Sequence, residues 1–235
     1  MNREPEEEKG LQVVTIDGPS GAGKSTIAKA LARRLGWTHL DTGAMYRAVT
    51  LALHREGVDL SDAEAVREVL DRLDLRLGEG GKVFLGEEEV SALLRSPEVE
   101  AEVSAVSALP LVRARMKELQ RREARRGPLV AEGRDMGSVV FPDAAFQFYL
   151  DASPIERARR RHRDFEAQGR HVPRDQVLAE IERRDHLDST RKDAPLVRTP
   201  RMEVIDSTGK SVEEILERME ARVRSGRATG PEEER

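Results

Sequence analysis

Cysteine is absent from this 235-residue chain, which excludes disulfides, zinc–thiolate centres and thiol nucleophiles. No window approaches eighteen consecutive apolar residues, so no segment reads as a membrane-spanning helix. Aromatic residues make up only 3% of the sequence, too few for the stacking platforms that grip single-stranded nucleic acid. Nor does one sign of charge dominate: 40 Lys and Arg stand against 44 Asp and Glu, a formal net charge of −4, which gives no overall field to attract a polyanion. Asn occurs once, at Asn2; a heat-adapted composition and a codon bias towards Arg, Ala and Gly explain this equally well. The N-terminal stretch Met1–Lys9 is acidic and lacks the apolar segment of a secretory signal. These absences point to a cytoplasmic enzyme with no overall charge to attract nucleic acid and no membrane-spanning helix.

What is present is more specific. Residues 18–25 read Gly18-Pro19-Ser20-Gly21-Ala22-Gly23-Lys24-Ser25, a complete G-x-x-x-x-G-K-[ST] phosphate loop. The β-branched run Gln12–Ile16 precedes it, and a helical pattern from Thr26 to Leu35 follows, with apolar positions at Ile27, Ala30, Leu31 and Leu35. That strand–loop–helix setting gives the motif its meaning. Successive N–H groups of such a loop converge on phosphate oxygens, Lys24 reaches the β- and γ-phosphates, and Ser25 is placed to hold Mg²⁺. The reading is a nucleoside triphosphate site formed by Gly18 through Thr26.

Further along, strand patterns are expected at 12–17, 38–40, 129–132, 146–150 and 202–206, separated by helical patterns. Strands alternating with helices predict a parallel sheet covered on both faces. Residues 73–91 break the alternation: Leu73 to Leu77 and Lys82 to Leu85 flank a Gly-rich turn, which reads as a small antiparallel excursion. Asp41 or Thr42 is available to cap the helix from about Ala44, and Asp175 the one that ends near Leu187.

Three other segments carry candidate chemistry. Asp41-Thr42-Gly43-Ala44-Met45-Tyr46-Arg47 follows the second strand, where a hydroxyl and an Arg at the C-terminal edge of a parallel sheet could grip a second phosphate; Thr42 is equally an ordinary helix cap. Glu132-Gly133-Arg134-Asp135-Met136-Gly137 follows the third strand; its Arg–Asp pair reads as a binding element or as an ion pair closing a turn. Arg184, Asp188 and Arg191 fall at i, i+4 and i+7, one stripe of the helix if it runs that far, which suits a ribose and a phosphate or a surface ladder. Arginine clusters at 121–126 and 157–163 divide between a site and a solvated face. The five histidines (His39, His54, His162, His171 and His186) make no metal or triad spacing and read as structural or solvated.

Taken together, Ile16 through Ser25, Asp41 through Arg47, Gly133 through Asp143 and Arg184-Asp185 through Arg191 resemble the bacterial cytidylate kinases in order and spacing, over roughly residues 12–223. The chain departs from the pattern at Thr42, often Ser in the family, and at Ser138, often Thr; both keep the hydroxyl. The resemblance implies a P-loop nucleoside monophosphate kinase fold: a five-stranded parallel sheet flanked by helices, with a small antiparallel β insertion in the nucleotide-binding arm and a helical lid. It implies one kinase domain over 1–225, with a core at about 11–41, 127–156 and 174–225. The arm would span about 42–126, carrying the insertion at about 73–91, and the lid about 157–173. Residues 1–10 and 226–235 are expected to be disordered tails.

The same resemblance implies phosphoryl transfer from Mg-ATP to CMP or dCMP. It assigns Ser104, Arg113 and Asp135 to the base, and Thr42, Arg47, Arg134 and Arg184 to the CMP phosphate. Asp188 and Arg191 fall at the sugar hydroxyls, and Arg157 and Arg161 supply lid cations to the transferring group. Lys24, Arg134, Arg157, Arg161 and Arg184 are the expected catalytic set, and a monomer is expected. Two other readings stay open on sequence: a related P-loop kinase with another acceptor such as UMP, and an NTPase switch or nucleic-acid binder using the arginine clusters.

Overall fold

The structure, a computed structural model, describes residues 11–167 and 169–229. The expected tail at 1–10, and residues 230–235 of the other, lie outside the described residues. In chain order the first elements are β1 (Val13–Asp17), α1 (Lys24–Leu35), β2 (Thr38–Asp41), α2 (Thr42–Arg55) and α3 (Ala63–Arg72). Three short strands follow, β3 (Leu75–Leu77), β4 (Val83–Leu85) and β5 (Glu88–Glu89), and then α4 (Pro97–Val106) and α5 (Pro110–Ala124). The chain continues through β6 (Leu129–Gly133), β7 (Phe146–Asp151), α6 (Pro154–Ala167), α7 (Arg174–Thr190), β8 (Glu203–Asp206) and α8 (Val212–Arg224).

Five strands form one parallel sheet in the order β2-β6-β1-β7-β8. Every residue of β1 and of β6 is buried, as a strand covered on both faces requires. Val14 and Ile16 of β1 pack with Ile27 and Leu31 of α1 and with Ile215, Leu216 and Met219 of α8. The five strands fall where the hydrophobic runs placed them, and the expected α/β architecture is the one observed.

The chain divides into two compact units. The first, residues up to 40 and from 123 onward, contains the phosphate loop, nearly all of the large sheet, and helices α1, α6, α7 and α8. Within it α6 and α7 have their own small core, in which Ala158, Val177 and Ile181 are packed by Phe165, Val172 and Leu178. The second unit, residues 41–122, holds α2, α3, α4, most of α5 and an antiparallel sheet in the order β3-β4-β5. The pairing Leu75↔Leu85 and Leu77↔Val83 is the β excursion read from the alternation at 73–91.

Helix starts follow ordinary capping chemistry, except at Asp175. The Asp41 carboxylate accepts from Ala44 N at 2.9 Å and caps α2, so Thr42 is the first helical residue and not the cap. Ser211 and Glu214 form a reciprocal capping box on α8. Asp175 does not cap α7: the helix begins at Arg174 directly after Pro173, and Asp175 sits inside its first turn, where a carboxylate favours the helix dipole. The C-terminal tail also begins later than expected. Thr229 is buried, donates through its N–H to Ala145 O at 2.9 Å and accepts through Oγ1 from Gln147 N at 2.6 Å.

Candidate active site

The phosphate loop joins the end of β1 to the start of α1. Gly23, at φ 94°, is the N-cap of α1 and offers no side-chain acceptor. The first-turn N–H groups of the helix therefore open onto the loop, the arrangement that receives an anion. Lys24 is buried and its Nζ donates to Pro19 O at 2.7 Å. Burial holds its ammonium well below the usual lysine pKa, and the nearby Arg134 charge works in the same direction.

Ser25, on the first turn of α1, donates through Oγ to Glu132 Oε2 at 2.7 Å. Glu132 lies near the end of β6, and its other oxygen is 3.0 Å from His39 Nε2. In the sequence Glu132 stands only as the start of the segment after the third strand, with no role of its own, and His39 reads as structural or solvated. The signal available was positional: a buried carboxylate at the C-terminal edge of the strand next to β1. A hydroxyl and a carboxylate side by side are hard oxygen donors, the kind Mg²⁺ takes while keeping most of its water. This donor set fits the ion. No cluster of three or more His, Cys, Asp or Glu residues suited to hold a metal occurs among the described residues.

Beyond β6 the backbone makes a wide helical turn over Met136–Val140, with Val140 N bonded to Asp135 O and Phe141 N to Met136 O, five residues back. Asp17, the last residue of β1, fixes this turn. Its two carboxylate oxygens accept from Met136 N at 2.9 Å and Gly137 N at 2.7 Å. Its pKa is raised to about 6, first by complete burial and partly by the neighbouring Asp135 charge, against those two hydrogen bonds and Lys24. Gly137 has no room for a side chain: a Cβ there would lie 2.9 Å from Thr15 Oγ1 and 3.0 Å from Gln147 Oε1.

The turn presents Arg134 and Asp135 to the end of α7. Arg134 Nε donates to Asp188 Oδ2 at 2.7 Å. Arg191 reaches Asp135 Oδ1 and Asp188 Oδ1, each at 3.8 Å, and is braced by Nε donating to Ala194 O at 2.7 Å. Burial opposes the charge of Arg134, but Asp188, Asp185 and Glu132 outweigh it, and its pKa is raised. Burial likewise works against ionised Asp188, and Arg134, Arg184 and Arg191 hold its pKa down nonetheless. Asp188 and Arg191 thus meet Arg134 and Asp135, and the Arg184 charge acts on Asp188; α7 ends at Thr190 with Arg191 extended beyond it, so the three do not form the single helical stripe that their spacing suggested.

Arginines 157–163 separate by face. Arg159 pairs with Glu156 at 2.7 Å on the exposed side. Arg161 lies 4.5 Å from the centre of the Phe165 ring, as does Arg170, a cation–π arrangement on the α6–α7 hairpin. Arg157 and Arg160 turn inward to the phosphate loop. Arg157, expected as a lid cation, is buried with Nε donating to Ala152 O at 2.9 Å and Nη1 to Ser20 O at 2.9 Å.

The second unit carries its own group of expected residues. Thr42 is buried at the start of α2, and Arg47, one turn on, folds back so that its Nη1 lies over Gly43. Arg113 of α5 stands 5.7 Å from the centre of the Tyr46 ring and donates to Ser107 O at 3.2 Å. Ser104 lies on α4, three residues before Ser107, whose hydroxyl donates to Ser104 O at 3.1 Å.

The family model for cytidylate kinase matches residues 14–225. A cytidylate kinase of Mycobacterium leprae is 48% identical over 205 residues, covering 87% of this chain and 92% of its own. The cytidylate kinase of Caldanaerobacter subterraneus subsp. tengcongensis is 47% identical over 211 residues, covering 90% and 94%. Among solved structures, an uncharacterized protein from Eubacterium ventriosum superposes with a TM-score of 0.52 at 14% identity, covering 92% of this chain and 99% of that one; this likeness bears on the fold alone.

Proposed function

The chain belongs to the cytidylate kinase family, and from that footing we propose that it moves the γ-phosphoryl group of ATP to CMP or dCMP, giving ADP and CDP or dCDP. It is a phosphotransferase acting on a nucleoside monophosphate. The observation that carries the assignment of roles is the convergence of Arg134, Asp135, Asp188 and Arg191 within 4 Å contacts beside the buried Lys24. Arg134 and Arg184 bind the acceptor phosphate, Asp188 and Arg191 the sugar, and Asp135 the base. Thr42 and Arg47 serve the acceptor phosphate, and Ser104 and Arg113 the base.

A carboxylate such as Asp135 accepts from the exocyclic amino group of cytosine and repels the carbonyl oxygen that uracil has there. Transfer is direct and in line. The acceptor's second phosphate pKa is about 6, so it is already ionised near neutral pH and needs no strong base. The work left to the protein is orientation and charge neutralisation. Lys24 donates to the donor's phosphates, which return the counter-charge that burial withholds from it. Arg134, Arg184 and, from α6, Arg161 spread cationic charge over the transferring group. Ser25 and Glu132 would hold Mg²⁺, whose charge neutralises the β- and γ-phosphate oxygens when bound.

Among the described residues no helix is long and apolar enough to cross a membrane; a cytoplasmic monomer remains our reading, to be checked by fractionation and gel filtration. The deciding experiment is ADP release with Mg-ATP and CMP, dCMP, UMP, AMP or GMP, beside a control without acceptor. Strong turnover with CMP and dCMP, weak with UMP and negligible with the purines is the expected result. Preference for UMP would move the chain to the uridylate reading, and ADP release indifferent to the acceptor would sink the kinase assignment.

A further inference from the structure

A phosphate loop works only if its peptide planes face the right way, N–H groups inward and carbonyl oxygens outward. Glycine-rich backbone has little preference of its own, so something outside the loop must set that orientation. Here the outward carbonyls are met by cations on one helix. Arg157 Nη1 donates to Ser20 O at 2.9 Å. Arg160, one turn later on α6, donates through Nη1 to Ala22 O at 3.2 Å. Both are anchored from behind. Arg157 is held by Ala152 O at 2.9 Å and by Asp185 Oδ2 at 2.5 Å. Arg160 is held by Glu156 Oε1 at 2.8 Å, Ser207 Oγ at 3.0 Å and Ser207 O at 2.8 Å.

The contacts extend past the two guanidiniums. Asp185, on α7, also accepts from Ser20 N at 3.3 Å, and the Ser207 hydroxyl lies 3.2 Å from Ala22 O. Gly21, at φ 78°, passes so close to α6 that a Cβ would fall 3.1 Å from Arg157 Cβ and 3.2 Å from its carbonyl oxygen. The loop is therefore pressed onto the same helix that grips its carbonyls.

We propose that Arg157 and Arg160 are positioning residues of the phosphate loop: they cap the carbonyls of Ser20 and Ala22 and so fix the N–H groups of Gly21 and Gly23, which share those two peptide planes, towards the donor's phosphates. This rests on the reading of the loop as the ATP site. It separates the arginines of α6 by task, two behind the loop and Arg161 towards the transferring group. It also gives Asp185 a role distinct from that of its neighbours Arg184 and Asp188, since its carboxylate orients Arg157.

The experiment compares wild type, Arg160→Ala, Arg160→Lys and Arg157→Lys by equilibrium binding of Mg-ATP and of CMP, with amide exchange at Gly21 and Gly23. Losing a forked charge-assisted contact should weaken Mg-ATP binding roughly tenfold to a hundredfold, leave CMP binding within about twofold, and speed exchange in the loop. Lys keeps the charge at 160 but cannot make the fork, so Arg160→Lys should recover only part of the loss; full recovery would mean that charge alone matters and would overturn the proposal. Arg157→Lys should raise KM for ATP more than it lowers kcat. A fall in kcat with unchanged Mg-ATP binding and loop exchange would return Arg157 to the transferring group and refute its positioning role. Should Arg160→Ala fail to fold, Arg160→Lys and the exchange rates decide the matter. If wild type itself does not bind Mg-ATP, the ATP reading falls, and the exchange comparison still tests the clamp.

Discussion

Arg134 and Asp188 lie 54 positions apart and meet in a 2.7 Å charge-assisted hydrogen bond, which ties the turn after β6 to the end of α7. Both side chains are largely buried, at 19% and 15% exposed. A buried pair is strongly unfavourable to break, because the surviving charge loses its partner. Asp188→Asn should therefore lower unfolding stability by about 3 kcal/mol, read from urea titration, and reduce kcat/KM for CMP more than it changes KM for ATP. A variant as stable as wild type with unaltered CMP kinetics would show that the pair neither supports the turn nor touches the acceptor.

Glu132 is the second test. Its carboxylate accepts the Ser25 hydroxyl hydrogen bond at 2.7 Å, which leaves the hydroxyl oxygen's lone pairs available to a cation. Partners of metal ligands typically contribute 10–100-fold to metal affinity. Glu132→Gln should weaken Mn²⁺ binding in the ATP complex by about tenfold, measured by electron paramagnetic resonance titration independently of turnover. Unchanged Mn²⁺ affinity would leave Glu132 as a hydrogen-bond partner of Ser25 and nothing more.

Asp135 is the third. It is buried and stands 3.8 Å from Arg191, so its carboxylate is oriented before any base arrives. A site built to pair a substrate amino group discriminates sharply against an analogue that lacks it. Asp135→Ala should cut kcat/KM for CMP by at least about tenfold more than for UMP. Equal losses on the two nucleotides would remove it from base reading and leave it a structural neighbour of Arg191.

The fold was legible because its signals are local. The runs that became β1 and β6 are continuous apolar stretches, and the phosphate loop is a contiguous motif whose spacing carries its chemistry. The excursion at 73–91 declared itself by a change of period. What stayed hidden depends on contacts far apart in sequence. Nothing near Arg160 shows that it will meet Ala22, 138 positions away; in a run of five arginines over 157–163, the inward and outward faces look alike. The turn at Met136–Val140 bonds five residues back, a spacing that matches neither helix nor strand periodicity. Asp175 looked like a cap because the residue type fits; Pro173, with its fixed φ, starts the helix instead.

Asp17 supplies the last prediction, because its burial makes a pH signature. Its pKa is about 6 in the folded chain against 3.8 for the free side chain, burial being the largest cause. Between those two values the folded state holds a proton that the unfolded state has released, so this group adds stability as pH falls through about 6 and withdraws it as pH rises. Between pH 7.5 and pH 4.5 the gain from this one carboxyl is about 2 kcal/mol. Other carboxylates lose their ion pairs over the same range, so wild type alone does not isolate the effect. Asp17→Asn keeps the size, cannot titrate, and shares every other group. Its deficit relative to wild type, from urea unfolding, should therefore be about 2 kcal/mol larger at pH 4.5 than at pH 7.5. A deficit that is constant over this range would mean that burial does not raise the Asp17 pKa above its ordinary value, the two hydrogen bonds from Met136 and Gly137 offsetting it.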